Sequence, residues 1–447
     1  MNKNSSDVFH GSLHKKYQYV DHAKGVFVYD TDGNRYIDCA AGVAVANIGH
    51  GVQDVLEAIN EQAKKCTYAY GATFTSAIGE ELATRIISVS PVGMKRVFFC
   101  SGGSEAVESM IKIARQYQVE AGRPSKYKII SRWQSYHGNT LATLSLGGRP
   151  SWRRIYEPLL MRMPHIAQCN CYRCPYNLNY PSCKLTCAEE LERVIKYEGE
   201  ETVAAFILEP IIGTTATATV PPDGYLKRIR EICDKYNVLL CCDEVITGLG
   251  RSGKAFAVDH FQVTPDLICV AKGLGGGYVP IGSVIAHEKV VNLFEKGSGA
   301  LVHSYTFSGM PIVCAGANAV LKYTLENDLI DRAAVFGKIF LKKLREALLD
   351  LPMVGDVRGI GMLFGVELVE NKITKTPYLP SYNISGKIAD YCFNHGVIIL
   401  AGVTGTADGV EGEALQISPP LIMEEKEWDA AINVLKDAVI HVHNNIS

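Results

Sequence analysis

No run of 18 or more apolar residues occurs in the chain, which argues against a membrane-spanning helix. The opening Met1-Asn2-Lys3-Asn4-Ser5-Ser6 has no apolar leader region, so no secretory signal is expected. An excess of one charge is missing too. The chain carries 45 basic and 47 acidic residues with no basic cluster interleaved with aromatics, and no nucleic-acid partner is expected. Internal repeats and low-complexity linkers are absent, and no G-x-G-x-x-G follows an early strand, so a dinucleotide fingerprint is excluded. What remains is the expectation of a soluble, cytoplasmic protein with no membrane contact. Its 447 residues, 47% of them hydrophobic, suffice for a large core divided into two or three domains.

Cysteine, by contrast, is plentiful. Nine of the 14 are dispersed through apolar or helical stretches, such as Cys100, Cys241, Cys242, Cys269 and Cys314, where reduced thiols act as small hydrophobes. The other five form a cluster, Cys169, Cys171, Cys174, Cys183 and Cys187, in one aromatic- and proline-rich loop over 169–187. That supplies enough thiolates for a tetrahedral zinc site or an iron–sulfur cluster, although the spacing is not that of a zinc finger. Reduced thiols or an occasional disulfide are the alternative.

Strand and helix patterns alternate through the middle of the chain. Arg96–Cys100, Lys128–Ser131, Ala204–Leu208, Val238–Cys242 and Leu267–Ala271 read as buried strands, with helices such as Glu105–Tyr117 and Gly224–Tyr236 between them. This rhythm predicts an α/β fold on a mostly parallel, doubly covered sheet. From about Pro311 the pattern changes to long helices, short strands at Met362–Leu368 and Val397–Leu400, and a closing helix from Glu424 to about His443. The expected division is a large domain over 61–310 and a smaller α+β domain over 311–447 that the segment 1–60 joins.

Lys272 ends the strand at Leu267–Ala271 and precedes Gly273, Gly275, Gly276 and Gly277. An amine on the lip of a buried strand, beside a backbone with few side chains, has room for a flat ligand. Partial desolvation there lowers its pKa and makes it a nucleophile toward aldehydes. The plain alternative is a solvated lysine capping an apolar run. Asp243, 29 residues earlier at the end of Val238–Cys242, changes the balance. Ligands of open α/β sheets bind at the carboxyl ends of strands, so an acid and an amine from two such ends can face one pocket.

Two further strand ends add to the set. Ser101-Gly102-Gly103-Ser104-Glu105 turns into a helix whose free N–H groups form an anion site, unless it is an ordinary N-cap. In Ser135-Tyr136-His137-Gly138-Asn139 the aromatic ring of Tyr136 can stack on a planar group.

The ordered set resembles the class III (ω-amino acid) aminotransferases of the pyridoxal-phosphate fold type I group. The resemblance runs from Asp32-Gly33-Asn34-Arg35-Tyr36-Ile37-Asp38 and Asn47-Ile48-Gly49-His50, through Asp243-Glu244-Val245-Ile246-Thr247-Gly248, Gly250-Arg251-Ser252-Gly253 and Pro265-Asp266, to Ser418-Pro419-Pro420-Leu421. It implies a large domain on a mostly parallel seven-stranded sheet and a smaller α+β domain built from both termini. It also implies that Lys272 holds pyridoxal phosphate as a Schiff base and shuttles the proton, and that Asp243 pairs with the pyridine nitrogen. By the same resemblance Gly103 and Ser104 cradle the phosphate, Tyr136 and Val245 take the two ring faces, and Glu209 lies near the phenolic oxygen. Thr306 would reach the phosphate of a neighbouring subunit, which implies a homodimer with shared sites. Tetramer formation is left open.

Two departures bear on substrate. Asn139 stands where relatives using 2-oxoglutarate commonly carry arginine, and Ile246 where they often carry glutamine. Both point toward relatives that use pyruvate with ω-amines, diamines or β-amino acids. Gln416 stands where the family often has an arginine that clamps the substrate carboxylate by a bidentate fork. Arg149, Arg153, Arg154 and Arg358 are the candidates to replace it. The entry-loop aromatics Tyr68, Tyr70 and Phe74 are candidate pocket residues, with core or interface roles as the alternative. The expected function is amino transfer from an ω-amine, diamine or amino acid to a 2-oxo acid, with pyruvate the expected acceptor. A decarboxylating, racemising or eliminating relative is the first alternative, and a non-catalytic thiol or metal sensor is the second.

Overall fold

A computed structural model describes residues 6–446. Met1–Ser5, where no leader was read, lie outside the described residues. Among the described residues no helix is long and apolar enough to cross a membrane.

The central sheet has seven strands, in the spatial order Met94–Cys100, Gly282–His287, Leu267–Val270, Leu239–Asp243, Val203–Leu208, Lys128–Arg132, His165–Ile166. Every residue of Val203–Leu208, Leu239–Asp243 and Leu267–Val270 is buried, as required of strands covered on both faces. The last five strands in that order pair in parallel. Gly282–His287, which the sequence reading did not single out, pairs antiparallel with both neighbours and inserts between Met94–Cys100 and the rest. The seven-stranded, mostly parallel α/β sheet is thus as expected.

The helix Gly103–Glu120 buries Ala106, Val107, Met110, Ile113, Ala114 and Tyr117. This three-and-four spacing lays one apolar stripe on the sheet. Glu105, in its first turn, accepts from the backbone N–H of Ser101 at 2.8 Å, which closes the turn before the helix.

The chain's two ends meet in one small sheet. Val20–Lys24, Phe27–Asp30 and Arg35–Asp38 pair antiparallel, and Val397–Ile398 adds in parallel with Val397 opposite Ile37. The strand expected over Val397–Leu400 breaks after Ile398. Its continuation, Leu400–Thr404, joins a different sheet with Glu413–Ile417, Leu363–Leu368 and Val354–Ile360. The helices Leu329–Leu348 and Glu425–Asn444 share a core with these strands through Phe340, Phe364 and Trp428, and the rings of Phe340 and Trp428 stack at 4.7 Å.

Candidate active site

Four parallel strands deliver polar groups to one end of the central sheet. Asp243 closes Leu239–Asp243, Lys272 follows Leu267–Val270, Glu209 follows Val203–Leu208, and Tyr136 follows Lys128–Arg132. They line a single cavity of about 280 Å³ together with Gly103, Ser104 and Val245. Seven residues singled out from the sequence, from four strand ends and one helix start, therefore converge.

Lys272 has φ of 43°, in the left-handed region that costs a non-glycine residue roughly 1–2 kcal/mol. Strain of this kind persists where the surroundings fix it, and it gathers at functional sites. Burial lowers the pKa of the amine to about 8, against the opposing pull of Asp243 and Glu209 and with help from the buried Arg251 cation. The lysine is therefore partly neutral near pH 8, as a nucleophile or proton carrier requires.

Asp243 is held from two sides. Its Oδ2 lies 2.8 Å from Nδ1 of the buried His137, and its Oδ1 accepts from the N–H of Val245 at 3.1 Å. His137 Nε2 is buried without a hydrogen-bond partner. Tautomer choice makes Nδ1 the donor when Asp243 is ionised. The sequence motif carries His137 without marking a role for it; its place directly after Tyr136 at a strand end is the available signal.

Glu209 is buried, and desolvation raises its pKa above the usual carboxylate range. Its two oxygens accept from the N–H groups of Tyr136 at 3.1 Å and Gly213 at 2.7 Å. It thereby fixes the backbone that carries Tyr136, whose ring meets Trp152 edge-on at 5.4 Å. Burial, with Asp243 adding to it, raises the Tyr136 phenol above its ordinary pKa.

The helix start is shaped for a close-fitting anion. A Cβ on Gly103 would stand 3.1 Å from Val245 Cγ1, and one on Gly138, at φ of 128°, would fall 2.6 Å from Ser104 Oγ. Ser104 Oγ also accepts from the N–H of Asn139 at 3.1 Å. A turn without side chains at a helix N-terminus, an amine, a paired carboxylate and two apolar ring-sized faces are the donor set that a phosphorylated pyridine aldehyde requires. The residues fit that group.

Other expectations land elsewhere. Thr306 is exposed and lines a separate cavity of about 740 Å³ with Tyr68, Tyr70 and Phe74. Gln416 is fully buried in Glu413–Ile417, and neither its Oε1 nor its Nε2 has a hydrogen-bond partner. Of the four arginines, Arg358 is committed to Glu367, Asp356 and the carbonyls of Ala216 and Thr217. Arg153 donates to the carbonyls of Ser145 and Gly147, and Arg154 is exposed. Arg149 stacks on Trp152 at 4.6 Å and donates to Thr404 Oγ1 at 3.3 Å.

The metal expectation is not supported. Among the described residues no group of three or more His, Cys, Asp or Glu side chains is arranged to hold an ion. Cys169 is buried and accepts from Arg132 Nη1 at 3.2 Å, whereas Cys171 is exposed and Cys174, Cys183 and Cys187 are half-buried free thiols.

The sequence pattern of the aminotransferase class-III family matches residues 10–439. The putrescine–pyruvate aminotransferase of Pseudomonas aeruginosa is 35% identical, over 93% of this chain and 89% of its own. A transaminase from work on directed evolution by ancestral reconstruction superposes with a TM-score of 0.93 at 36% identity, covering 99% of this chain and 98% of its own. The omega transaminase of Pseudomonas jessenii, solved in complex with PMP, gives 0.88 at 32% identity over 96% and 94%. The chain belongs to the class III aminotransferases, fold type I enzymes that transfer amino groups with pyridoxal phosphate.

Proposed function

We propose that this enzyme moves an amino group from an ω-amine or diamine to pyruvate, with Lys272 and Asp243 as its catalytic residues. The convergence of Lys272, Asp243, Glu209 and Tyr136 on one cavity carries the assignment of roles. The bound cofactor supplies an electrophilic carbon and an electron sink. Lys272 Nζ would hold the cofactor covalently and would move the proton. Asp243, oriented by His137, holds the positive charge at the ring nitrogen. Gly103 and Ser104 bind the phosphate, Tyr136 and Val245 enclose the ring, and Glu209 holds Tyr136 in register.

Asn139 and Ile246 favour pyruvate over 2-oxoglutarate, and the relationship to a putrescine–pyruvate enzyme supports the same choice. Arg149 is the arginine that best fits the acceptor carboxylate. Its guanidinium lies over Trp152, whose ring meets that of Tyr136 at the cavity. The separate cavity at Thr306, Tyr68 and Phe74 supports a homodimer in which Thr306 serves the neighbouring site. The sheet shared by the strands of 20–38 and Val397–Ile398 supports a division into a large domain over 61–310 and a small domain from 1–60 with 311–447.

The test is a two-stage reaction followed through the cofactor's absorbance. Putrescine and other ω-amines are expected to bleach the band of the lysine-bound form, and pyruvate to restore it faster than 2-oxoglutarate. Failure of every amine to change the band rejects amino transfer. Restoration by 2-oxoglutarate alone rejects the acceptor.

A further inference from the structure

The cysteine-rich loop has no part in the proposed reaction, yet it walls a concavity apart from the reacting cavity. This groove of about 690 Å³ is lined by Trp133, Gln134, Gln168, Arg173, Cys174 and Lys375, among others.

Its lining contains hydrogen-bonding capacity that the folded chain leaves unused. Gln168 lines the groove, is 2% exposed, and its Oε1 has no partner. Arg173 uses Nε on Glu367 and Nη1 on the carbonyl of Lys375 at 2.8 Å, while its buried Nη2 has no partner. Lys375 reaches the carbonyl of Tyr172 at 2.7 Å and lies over that ring at 4.6 Å. A buried donor or acceptor left unpaired weakens the fold, and a bound group that pairs with it offsets that cost.

The charges favour an anion. Glu367 is shared between Arg173 and Arg358, and Arg358 also takes Asp356 at 2.9 Å. Arg173 and Lys375 line the groove itself, whereas Arg358, Glu367 and Asp356 do not. Asp408 also lines the groove, but it is exposed, and one of its oxygens accepts from the N–H groups of Val410 and Glu411. Solvent screens that charge more than it screens Arg173.

The groove lies close to the reacting cavity. Gln134 belongs to the groove and Tyr136 to the cavity, and two residues of chain span at most about 7 Å. Gln134 Nε2 donates to the carbonyls of Gly405 and Thr406 at 2.8 and 3.1 Å, which ties this edge of the groove to the segment 405–406.

We propose that this groove is a second binding site, which takes a carboxylate or phosphate group carrying an adjoining hydrogen-bond donor. The anion belongs either to the far end of the amine substrate or to a separate small ligand. Only the first source rests on the aminotransferase reading above.

The experiment uses the cofactor-loaded enzyme and its Lys375→Gln and Arg173→Gln variants. Lys375→Gln leaves the Arg173–Glu367 pair intact and serves should Arg173→Gln fail to fold. Two primary amines of equal length, one ending in a carboxylate and one in a methyl group, are compared over chains of four to eight carbons, roughly the reach set by the wall. Binding of inorganic phosphate is measured by calorimetry. For a substrate tail, KM for the carboxylate-ended amine rises on the order of tenfold in the variants, with kcat and the methyl-ended amine unchanged. For a separate ligand, phosphate binds the parent enzyme and binds the variants at least about tenfold more weakly, while the two amines respond alike. Absence of phosphate binding together with equal response of both amines overturns the proposal. Turnover of the methyl-ended amine, read throughout, shows separately whether amino transfer itself stands.

Discussion

His137 Nδ1 stands 2.8 Å from Asp243 Oδ2, and both side chains are buried. The ring is therefore an orienting partner of the carboxylate, at one remove from substrate. Removing it leaves one oxygen of a buried carboxylate without its donor, a loss of about 1–3 kcal/mol. His137→Phe is expected to lower kcat by roughly 5- to 150-fold with KM for the amine little changed, and to shift the pH profile of the bound cofactor's absorbance. Asp243→Asn, which removes the charge itself, should cost about 10²- to 10³-fold. An unaltered absorbance profile in His137→Phe would show that the pair is only structural.

Lys272 gives a pH dependence with a definite sign. Burial disfavours the charged amine and brings its pKa down from 10.5 to about 8. At pH 7 roughly a tenth of it is neutral, against less than about one part in a thousand for an ordinary lysine. Capture of added pyridoxal phosphate by the cofactor-free protein should accelerate about tenfold per pH unit below 8 and level off above it. A stopped-flow series from pH 6 to 10 checks this, and a rate still climbing tenfold per unit at pH 10 contradicts the lowered value. Lys272→Ala is expected to lose about 10²- to 10⁴-fold or more in turnover.

The sheet and the cavity were legible because buried parallel strands are continuous apolar runs whose ends are marked by polar residues. Leu239–Asp243 and Leu267–Val270 showed this in a single reading, and their register brings Asp243 opposite Cys269, within reach of Lys272. His137 escaped because a histidine beside a stacking tyrosine has no period to mark it; only the fold brings it to Asp243, 106 residues away. Gly282–His287 follows a glycine- and proline-rich stretch and opens on Gly282 and Ser283, so only Val284-Ile285-Ala286 is an apolar run and the strand signal is weak. For the cysteine loop, spacing counts thiols but does not fix how their sulfurs are arranged or how deeply each is buried.

Glu367 makes a stability prediction away from the cavity. It is fully buried between Arg173 and Arg358, and Arg358 ties it to the carbonyls of Ala216 and Thr217. Breaking such a group by removing its acid leaves two cations facing each other, which costs about 3–5 kcal/mol. Glu367→Ala should therefore unfold at markedly lower denaturant than the parent. Glu367→Gln, which keeps two acceptors' worth of shape but only one carbonyl, should fall between them. Equal denaturation midpoints for all three would mean that Asp356 alone satisfies Arg358.

Gln416 sets stability against function. Its amide is enclosed in Glu413–Ile417, opposite Gly365 and Leu400, with both polar atoms unpaired. An unpaired buried amide weakens the fold, so Gln416→Met, similar in volume and without polar atoms, should stabilise the protein by about 1–3 kcal/mol. If the amide instead completes its hydrogen bonds on substrate, the same change raises KM for pyruvate while leaving the amine half-reaction untouched. Gln416→Arg would bury a charge with no acid facing it and is expected to destabilise the fold. Arg149→Gln separates the two candidates, because loss of a charge-assisted contact to a carboxylate should raise KM for pyruvate about tenfold or more. Measuring KM for pyruvate and thermal midpoint in the two neutral variants decides which residue reads the acceptor. A higher midpoint with unchanged KM in Gln416→Met, beside a raised KM in Arg149→Gln, assigns the carboxylate to Arg149. The reverse pattern assigns it to the amide.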